Sequence, residues 1–106
     1  MRKTLTIDTS DNKKIKIGLR IDKEYFYVYS NPTNLKSQII LVLIDKLLSK
    51  QRLNINKITD IEVNLGPGSF TGLRVGVSVA NAIGFALKIP INGKRVGDLV
   101  EPLYNK

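Results

Sequence analysis

The first third of the chain alternates apolar and polar residues, a period typical of half-buried strands. Segments 3–8, 14–21 and 25–29 all show this alternation. In the last of them, tyrosines alternate with Phe26 and Val28. Short clusters of turn-forming residues separate the segments, so the pattern predicts three adjacent antiparallel strands.

Two later segments are predicted to be helices. The first runs from Leu35 to about Lys50, with Thr33 or Asn34 as its N-cap. The second runs from about Thr71 to Leu87. Both are apolar over more of their circumference than the single stripe that a surface helix needs.

Two shorter strands are predicted around the second helix, at 60–65 and at 89–91. The resulting order, β-β-β-α-β-α-β, is typical of an α/β fold: a mixed sheet with an antiparallel meander and two right-handed crossover helices. Beyond it, residues 96–103 show apolar positions at helical spacing, in a helix that Pro102 would limit.

The second helix carries a stripe of small residues at every fourth position. A glycine inside a helix costs about 1 kcal/mol relative to alanine, so this repetition indicates a close approach of another backbone. Two helices with two apolar faces each exceed what one sheet needs to bury. We therefore predict an exposed partner-binding face. Its residues are Ile39, Ile40, Leu43, Leu47, Gly72, Val75, Gly76, Val79, Ala80, Ile83 and Gly84.

A glycine-rich segment, 66–72, joins a predicted strand to the second helix. Such a junction can bind anions through backbone N–H groups. This one lacks the lysine of a P-loop and the third glycine of a dinucleotide-binding motif. We favour a tight turn in which Gly66 and Gly68 adopt unusual backbone angles and Ser69 or Thr71 caps the helix.

Composition limits the chemistry. The 106 residues suit one domain, and the absence of cysteine and histidine excludes disulfides, zinc–thiolate sites and Ser-His-Asp triads. We expect no metal and no cofactor. There is neither a continuous apolar run of about 18 residues nor a signal peptide, so we expect a cytoplasmic protein without a membrane partner.

The net charge of +8 raises the question of nucleic-acid binding. The basic residues are scattered along the chain, which favours a solvated basic surface over a dedicated groove. Tyr25, Tyr27 and Tyr29 share one strand face and are able to stack bases. We favour the alternative that they pack under the helices.

Three segments carry a family resemblance. Gly66-Pro-Gly-Ser-Phe-Thr-Gly-Leu-Arg-Val-Gly76, Ile7-Asp-Thr-Ser10 and the segment 82–90 closely resemble the TsaB (YeaZ) family. That family acts in bacterial tRNA threonylcarbamoyladenosine biosynthesis and belongs to the actin-like, ribonuclease H-like superfamily. The resemblance covers residues from about 4 to 93.

The resemblance implies a non-catalytic scaffold subunit. TsaB proteins pair with TsaD, the catalytic subunit that transfers threonylcarbamoyl to an adenosine of tRNA, and a TsaE-type ATPase joins them. The family heterodimer packs the first two helices of each partner as a four-helix bundle. We thus expect a TsaD-like partner, a TsaE-like ATPase, only indirect contact with tRNA, and a homodimer when the partner is absent. TsaD-type proteins hold metal through histidines, which this chain lacks.

The chain also differs from the family it resembles in one respect. Family members carry two actin-like halves with a cleft between them, whereas residues 1–106 correspond to the first half alone. The final segment 101–106 favours a naturally short form over an excised half. The alternatives that stay open are a basic RNA-binding module and half of an actin-like ATPase or phosphotransferase site. The residues of the possible phosphate loop are Asp8, Thr9, Ser10, Gly66, Gly68, Ser69 and Thr71.

Overall fold

The computed structural model describes residues 1–11 and 13–103, and it has an α/β architecture. The elements are β1 (Lys3–Asp8), β2 (Ile15–Ile21), β3 (Glu24–Ser30), α1 (Ser37–Lys50), a 3₁₀ helix (Ile55–Lys57), β4 (Asp60–Val63) and α2 (Phe70–Leu87). The sheet has four strands in the order β3-β2-β1-β4. β1, β2 and β3 pair antiparallel, and β4 runs parallel to β1, which confirms the predicted mixed sheet.

The prediction of a fifth strand at residues 89–91 is wrong. Residues 89–91 form a single parallel bridge, between Ile61 and Ile91. The ladder stops there because the side-chain amide of Asn92 accepts from the backbone N–H of Val63 at 2.8 Å and donates to its C=O at 3.1 Å. These two bonds occupy the positions that a continuing strand would need.

The predicted start of the first helix is also wrong. α1 begins at Ser37, and Lys36 is its N-cap residue without a side-chain hydrogen bond, so neither Thr33 nor Asn34 caps it. Ser69, one of the two predicted caps, is the N-cap of α2. Its hydroxyl accepts a hydrogen bond from the N–H of Gly72 at 3.2 Å.

The helix predicted in the tail does not form over residues 96–103. Gly97 has a φ of +94°, a left-handed conformation that interrupts helical geometry. Val100 instead enters the core, and its N–H and C=O both bond to the side-chain amide of Asn81. Residues 104–106, which were part of our expectation about the end of the chain, lie outside the described residues.

The two helices cover the same face of the sheet. Leu5, Ile17 and Leu19 are fully buried in one core cluster that includes side chains of both helices. On β3, Phe26 and Val28 pack against this core, and the alternation of the strand sends the tyrosines to the opposite face. Our expectation that the tyrosines pack under the helices is therefore wrong.

α2 is the most apolar element. By length and composition its 18 residues would be enough to cross a membrane. In the structure α2 packs against β4, β1 and α1, and 44% of this stretch is buried within the chain. This is the position of a core helix.

A buried carboxylate ties β4 to the start of the chain. Asp60 accepts hydrogen bonds from Arg2 Nη2, Thr4 Oγ1 and Thr59 Oγ1, each at 3.0 Å. Burial opposes ionisation of this carboxyl group, but the bonds from Arg2, Thr4 and Thr59 outweigh it and hold the pKa of Asp60 below its ordinary value. The Arg2 side chain is largely exposed, so we expect the two hydroxyls to matter more than the ion pair.

Replacing Asp60 by asparagine should destabilise the fold at neutral pH by about 1–3 kcal/mol, because the hydroxyls and Arg2 lose a charged acceptor. The folded pKa is depressed, so the contribution of Asp60 is complete above about pH 4 and is lost as the pH falls through the folded value. Urea unfolding of Asp60→Asn and wild type at several pH values measures this. The difference between the two should shrink in acid, and a constant difference would contradict the assignment.

Candidate functional site

The end of β1 meets the glycine-rich loop before α2. The Ser69 N–H donates to the Ser10 carbonyl at 2.7 Å. A Cβ atom on Gly68 would lie 2.6 Å from the same carbonyl oxygen, so glycine is needed there for a close approach and not for its backbone angle. Gly66 does have the predicted unusual angle, with a φ of +119°.

Asp8 organises the polar side of this junction. Its Oδ1 atom accepts from Ser10 N at 3.0 Å, Ser10 Oγ at 2.7 Å and Asn64 Nδ2 at 3.2 Å. Asn64 in turn accepts from the N–H of Gly66 at 2.9 Å. Asn64 was not identified from the sequence, although an asparagine side chain often accepts from the backbone N–H two residues later in a turn.

Thr9 faces the opposite way and is fully buried. Its hydroxyl donates to the Gly72 carbonyl at 2.6 Å and occupies the space that a Cβ atom on Gly76 would need. Gly84 makes a similar contact, since its Cβ would lie 2.6 Å from Ile91 Cδ1. The small-residue stripe of α2 thus accommodates residues of this same chain.

These contacts occupy much of the possible phosphate loop. The N–H groups of Gly66, Ser69 and Gly72 all donate within the chain. Thr71 lies apart from Asp8, in a cleft of about 310 Å³ that Ser37 and Arg74 also line. Over residues 1–11 and 13–103, no three acidic side chains are grouped closely enough to hold a metal ion.

Most of the residues predicted for the partner-binding face lie in the core. The buried ones are Ile40, Leu43, Leu47, Gly72, Gly76, Val79, Ala80, Ile83 and Gly84. The prediction that these side chains are exposed is wrong. The apolar sides of both helices pack against one face of the sheet, against each other and against the segment 89–100. Ile39 and Val75 are only partly buried.

Other residues on the two helices do face solvent. Val42 is 55% exposed and Phe85 is 75% exposed, and Leu41 and Ala82 are exposed as well. These four positions, together with the partly buried Val75, are called the outer helix surface below. α1 and α2 contact each other. Leu41 also borders a cleft with residues 53–55, and Phe85 borders another with residues 97–99.

Known proteins resemble this chain in sequence and in fold. The family model of TsaD, described as tRNA N6-adenosine threonylcarbamoyltransferase, matches residues 33–93. The chain is 32% identical to the tRNA threonylcarbamoyladenosine biosynthesis protein TsaB of Haemophilus influenzae, over 82% of this chain and 36% of that protein. It is 27% identical to TsaB of Bacillus subtilis, over 95% and 50% respectively.

Among solved structures, YeaZ from Pseudomonas aeruginosa aligns with a TM-score of 0.80 and 26% sequence identity. The alignment covers 90% of this chain and 44% of that chain. The chain therefore spans half or less of the length of these relatives.

The Gly76–Thr9 contact predicts an inverted effect of a common stabilising change. Glycine to alanine inside a helix normally stabilises by about 1 kcal/mol. Gly76→Ala should instead destabilise by about 1–3 kcal/mol, because the new Cβ overlaps the buried Thr9 hydroxyl. Thermal and urea unfolding measure the change.

A double-mutant cycle identifies the cause. In a Thr9→Ala background, the same Gly76→Ala change should cost much less or become stabilising, because the obstructing group is gone. Equal costs in both backgrounds would mean that the close approach is not what selects glycine at this position.

Proposed function

Because this chain belongs to the TsaD family and is TsaB-like in sequence and fold, we propose that it is a non-catalytic subunit in the biosynthesis of tRNA threonylcarbamoyladenosine. In this proposal it docks a TsaD-type catalytic partner through the outer helix surface. The observation that carries the docking role is the exposure of large apolar side chains on α1 and α2 after the core is complete.

The chemistry of the outer helix surface supports a protein partner. Aromatic residues such as Phe85 are enriched at protein interfaces, and exposed apolar side chains grouped on a surface mark interaction sites. Ala82 on α2 is also exposed, and its small side chain would allow another helix to approach closely. Val75 lines a cleft together with Ser37, Thr71 and Arg74, so hydroxyl groups and a guanidinium lie near this position.

The non-catalytic assignment is supported by the residues at the β1–loop junction. The chain contains no histidine or cysteine to act as a base, nucleophile or metal ligand. Asp8 Oδ1 accepts hydrogen bonds from Ser10 and Asn64, and N–H groups of the loop donate to acceptors within the chain. These bonds suit a structural junction better than half of an ATPase site.

The remaining partners follow from the same proposal. A TsaE-like ATPase would join the assembly, tRNA would be held mainly by the catalytic partner, and the complex would act in the cytoplasm. We also expect residues 1–106 to act as a single actin-like half-domain. Without the TsaD-type partner, the outer helix surface would pair two copies of this chain.

Docking is tested by co-expression with the TsaD-type protein of the same organism and size-exclusion chromatography of the mixture. Val42→Arg and Ala82→Arg should each weaken the association by about 2 kcal/mol or more, because each puts an unpaired charge inside the interface. Both positions are exposed, so the variants should fold normally. Ala80 is unsuitable for this test, because it is fully buried and an arginine there would disrupt the core.

Val96→Arg is the matched control, since Val96 is an exposed aliphatic residue outside both helices. It should bind the partner as the wild type does. Wild-type affinity of both helix variants would refute docking through this surface, and loss of binding in the control as well would point to a non-specific effect of charge.

Self-association of the chain alone gives a separate prediction. Sedimentation velocity should show a concentration-dependent dimer for the wild type and a monomer for Val42→Arg. A dimer that persists in Val42→Arg would place the homodimer contact elsewhere.

A further inference from the structure

The face of the sheet that the helices leave uncovered carries a row of tyrosines. The rings of Tyr25 and Tyr27 stack with centroids 4.2 Å apart and planes 13° from parallel. The rings of Tyr27 and Tyr29 follow at 6.3 Å and 15°. Tyr29 ends the row and is 53% exposed. Three large rings are thus held nearly parallel on an open surface.

The row is anchored at its other end. The Tyr25 hydroxyl bonds to Thr6 Oγ1 at 2.9 Å. A Cβ atom on Gly18, in the middle of β2, would lie 2.7 Å from the Tyr25 ring. Glycine weakens a strand interior and often marks a close approach. Here Gly18 leaves room for the Tyr25 ring to pack flat against the sheet. The row is therefore ordered before any ligand binds.

Two lysines of β2 and its preceding turn lie over these rings. Lys16 Nζ is 4.1 Å from the Tyr27 centroid, and Lys14 Nζ is 5.0 Å from the Tyr29 centroid. Within the described part of the chain, neither lysine forms a salt bridge with an acidic side chain. Both ammonium groups are therefore held beside the aromatic row and remain able to pair with an incoming anion.

A cleft of about 290 Å³ continues from Tyr25 and Lys16 across the sheet toward β4. Its lining includes Asp8 and Glu62, whose Oδ1 and Oε2 atoms accept hydrogen bonds within the chain. Among the described residues, Asp8 Oδ2 and Glu62 Oε1 are the carboxylate oxygens of this cleft that no hydrogen bond occupies. Carboxylate and amide oxygens accept hydrogen bonds from the amino and imino groups on base edges. The same face thus places stacking surfaces, cations and hydrogen-bond acceptors side by side.

We propose that this face, which we call the tyrosine surface (Lys14, Lys16, Tyr25, Tyr27 and Tyr29), binds unpaired nucleotides of RNA. Bases stack on the exposed rings, beginning at Tyr29, and the two lysines contact phosphates of the same strand. Base edges reach the acceptors in the adjoining cleft. Stacking is tolerant of sequence, so any discrimination among bases comes from the cleft.

Charge favours RNA over a second copy of this chain as the occupant. Two copies pairing through this face would bring Lys14 and Lys16 of each toward the other, in molecules that each carry a net charge of +8. A polyanion with aromatic bases complements both the lysines and the rings. The inference does not depend on docking, because it uses the opposite face of the sheet.

The experiment uses the whole chain and a fluorescein-labelled, unstructured RNA of about 10 nucleotides, within the range of known single-stranded binding sites. Fluorescence anisotropy at low salt should show saturable binding. Tyr29→Ala should weaken it by about 5- to 150-fold, the loss expected for one stacked base. Tyr27→Ala should weaken it less, because the Tyr27 ring lies between Tyr25 and Tyr29 and supports the row. Tyr27→Phe and Tyr29→Phe keep the stacking surface and should bind as the wild type does.

Salt dependence tests the lysines. The log–log plot of affinity against salt should lose a slope of about 0.7 for each phosphate contact removed, so about 1.4 for Lys14→Gln combined with Lys16→Gln. Lys50→Gln is the matched control, because Lys50 ends α1 on the other side of the sheet and its loss should leave the slope unchanged.

Three results would overturn the proposal. The first is absence of saturable binding by a wild-type chain shown to be folded by circular dichroism. The second is equal RNA affinity of the tyrosine-to-alanine variants and the wild type. The third is self-association that Tyr29→Ala abolishes while RNA binding is unchanged, which would assign the face to a second copy of the chain. Loss of TsaD-type docking would not bear on it.

Discussion

Both helices lie on the same face of a four-stranded sheet, and the rest of the molecule depends on this asymmetry. One sheet face is sealed by a continuous apolar core, so each helix uses one side for that core and turns its other side to solvent. The second sheet face carries no helix among the described residues, so its tyrosines, lysines and acids stay accessible. Two chemically different surfaces result, one aliphatic and helical, the other aromatic and cationic.

The asymmetric arrangement is held together by close contacts at glycine. Thr9 presses against α2 where Gly76 leaves room, and Ser10 presses against the loop where Gly68 leaves room. These contacts fix the end of β1 against the start of α2. At the same junction, Asp8 Oδ1 and the N–H groups of the loop form hydrogen bonds within the chain. The segment that looks most like an anion-binding loop is therefore first of all a joint between two elements, and the surfaces on either side of the sheet are the better candidates for partners.

The sequence predicts the architecture well because strand alternation and helical apolar periodicity report directly on burial. The antiparallel meander, the fourth strand and the long second helix all follow from that signal. It fails where a single tertiary bond decides the outcome. The Asn92 side chain bonds to Val63 where a fifth strand would continue. The Asn81 side chain bonds to the backbone of Val100, in a segment that was predicted to be helical. Neither bond leaves a periodic trace in the sequence.

The exposed sides of the two helices were harder to predict for a related reason. Periodicity shows that Ala80 and Ala82 belong to an apolar helix, but it cannot say which of two apolar sides the core takes. The tyrosines posed the same problem, since alternation separates Tyr27 from Phe26 without saying which one faces the helices. Hydrogen–deuterium exchange of the chain with and without a TsaD-type protein of the same organism tests the proposed docking most directly. Our account predicts slowed amide exchange in α1 and α2 and unchanged exchange in β2 and β3. Protection confined to β2 and β3 would contradict it.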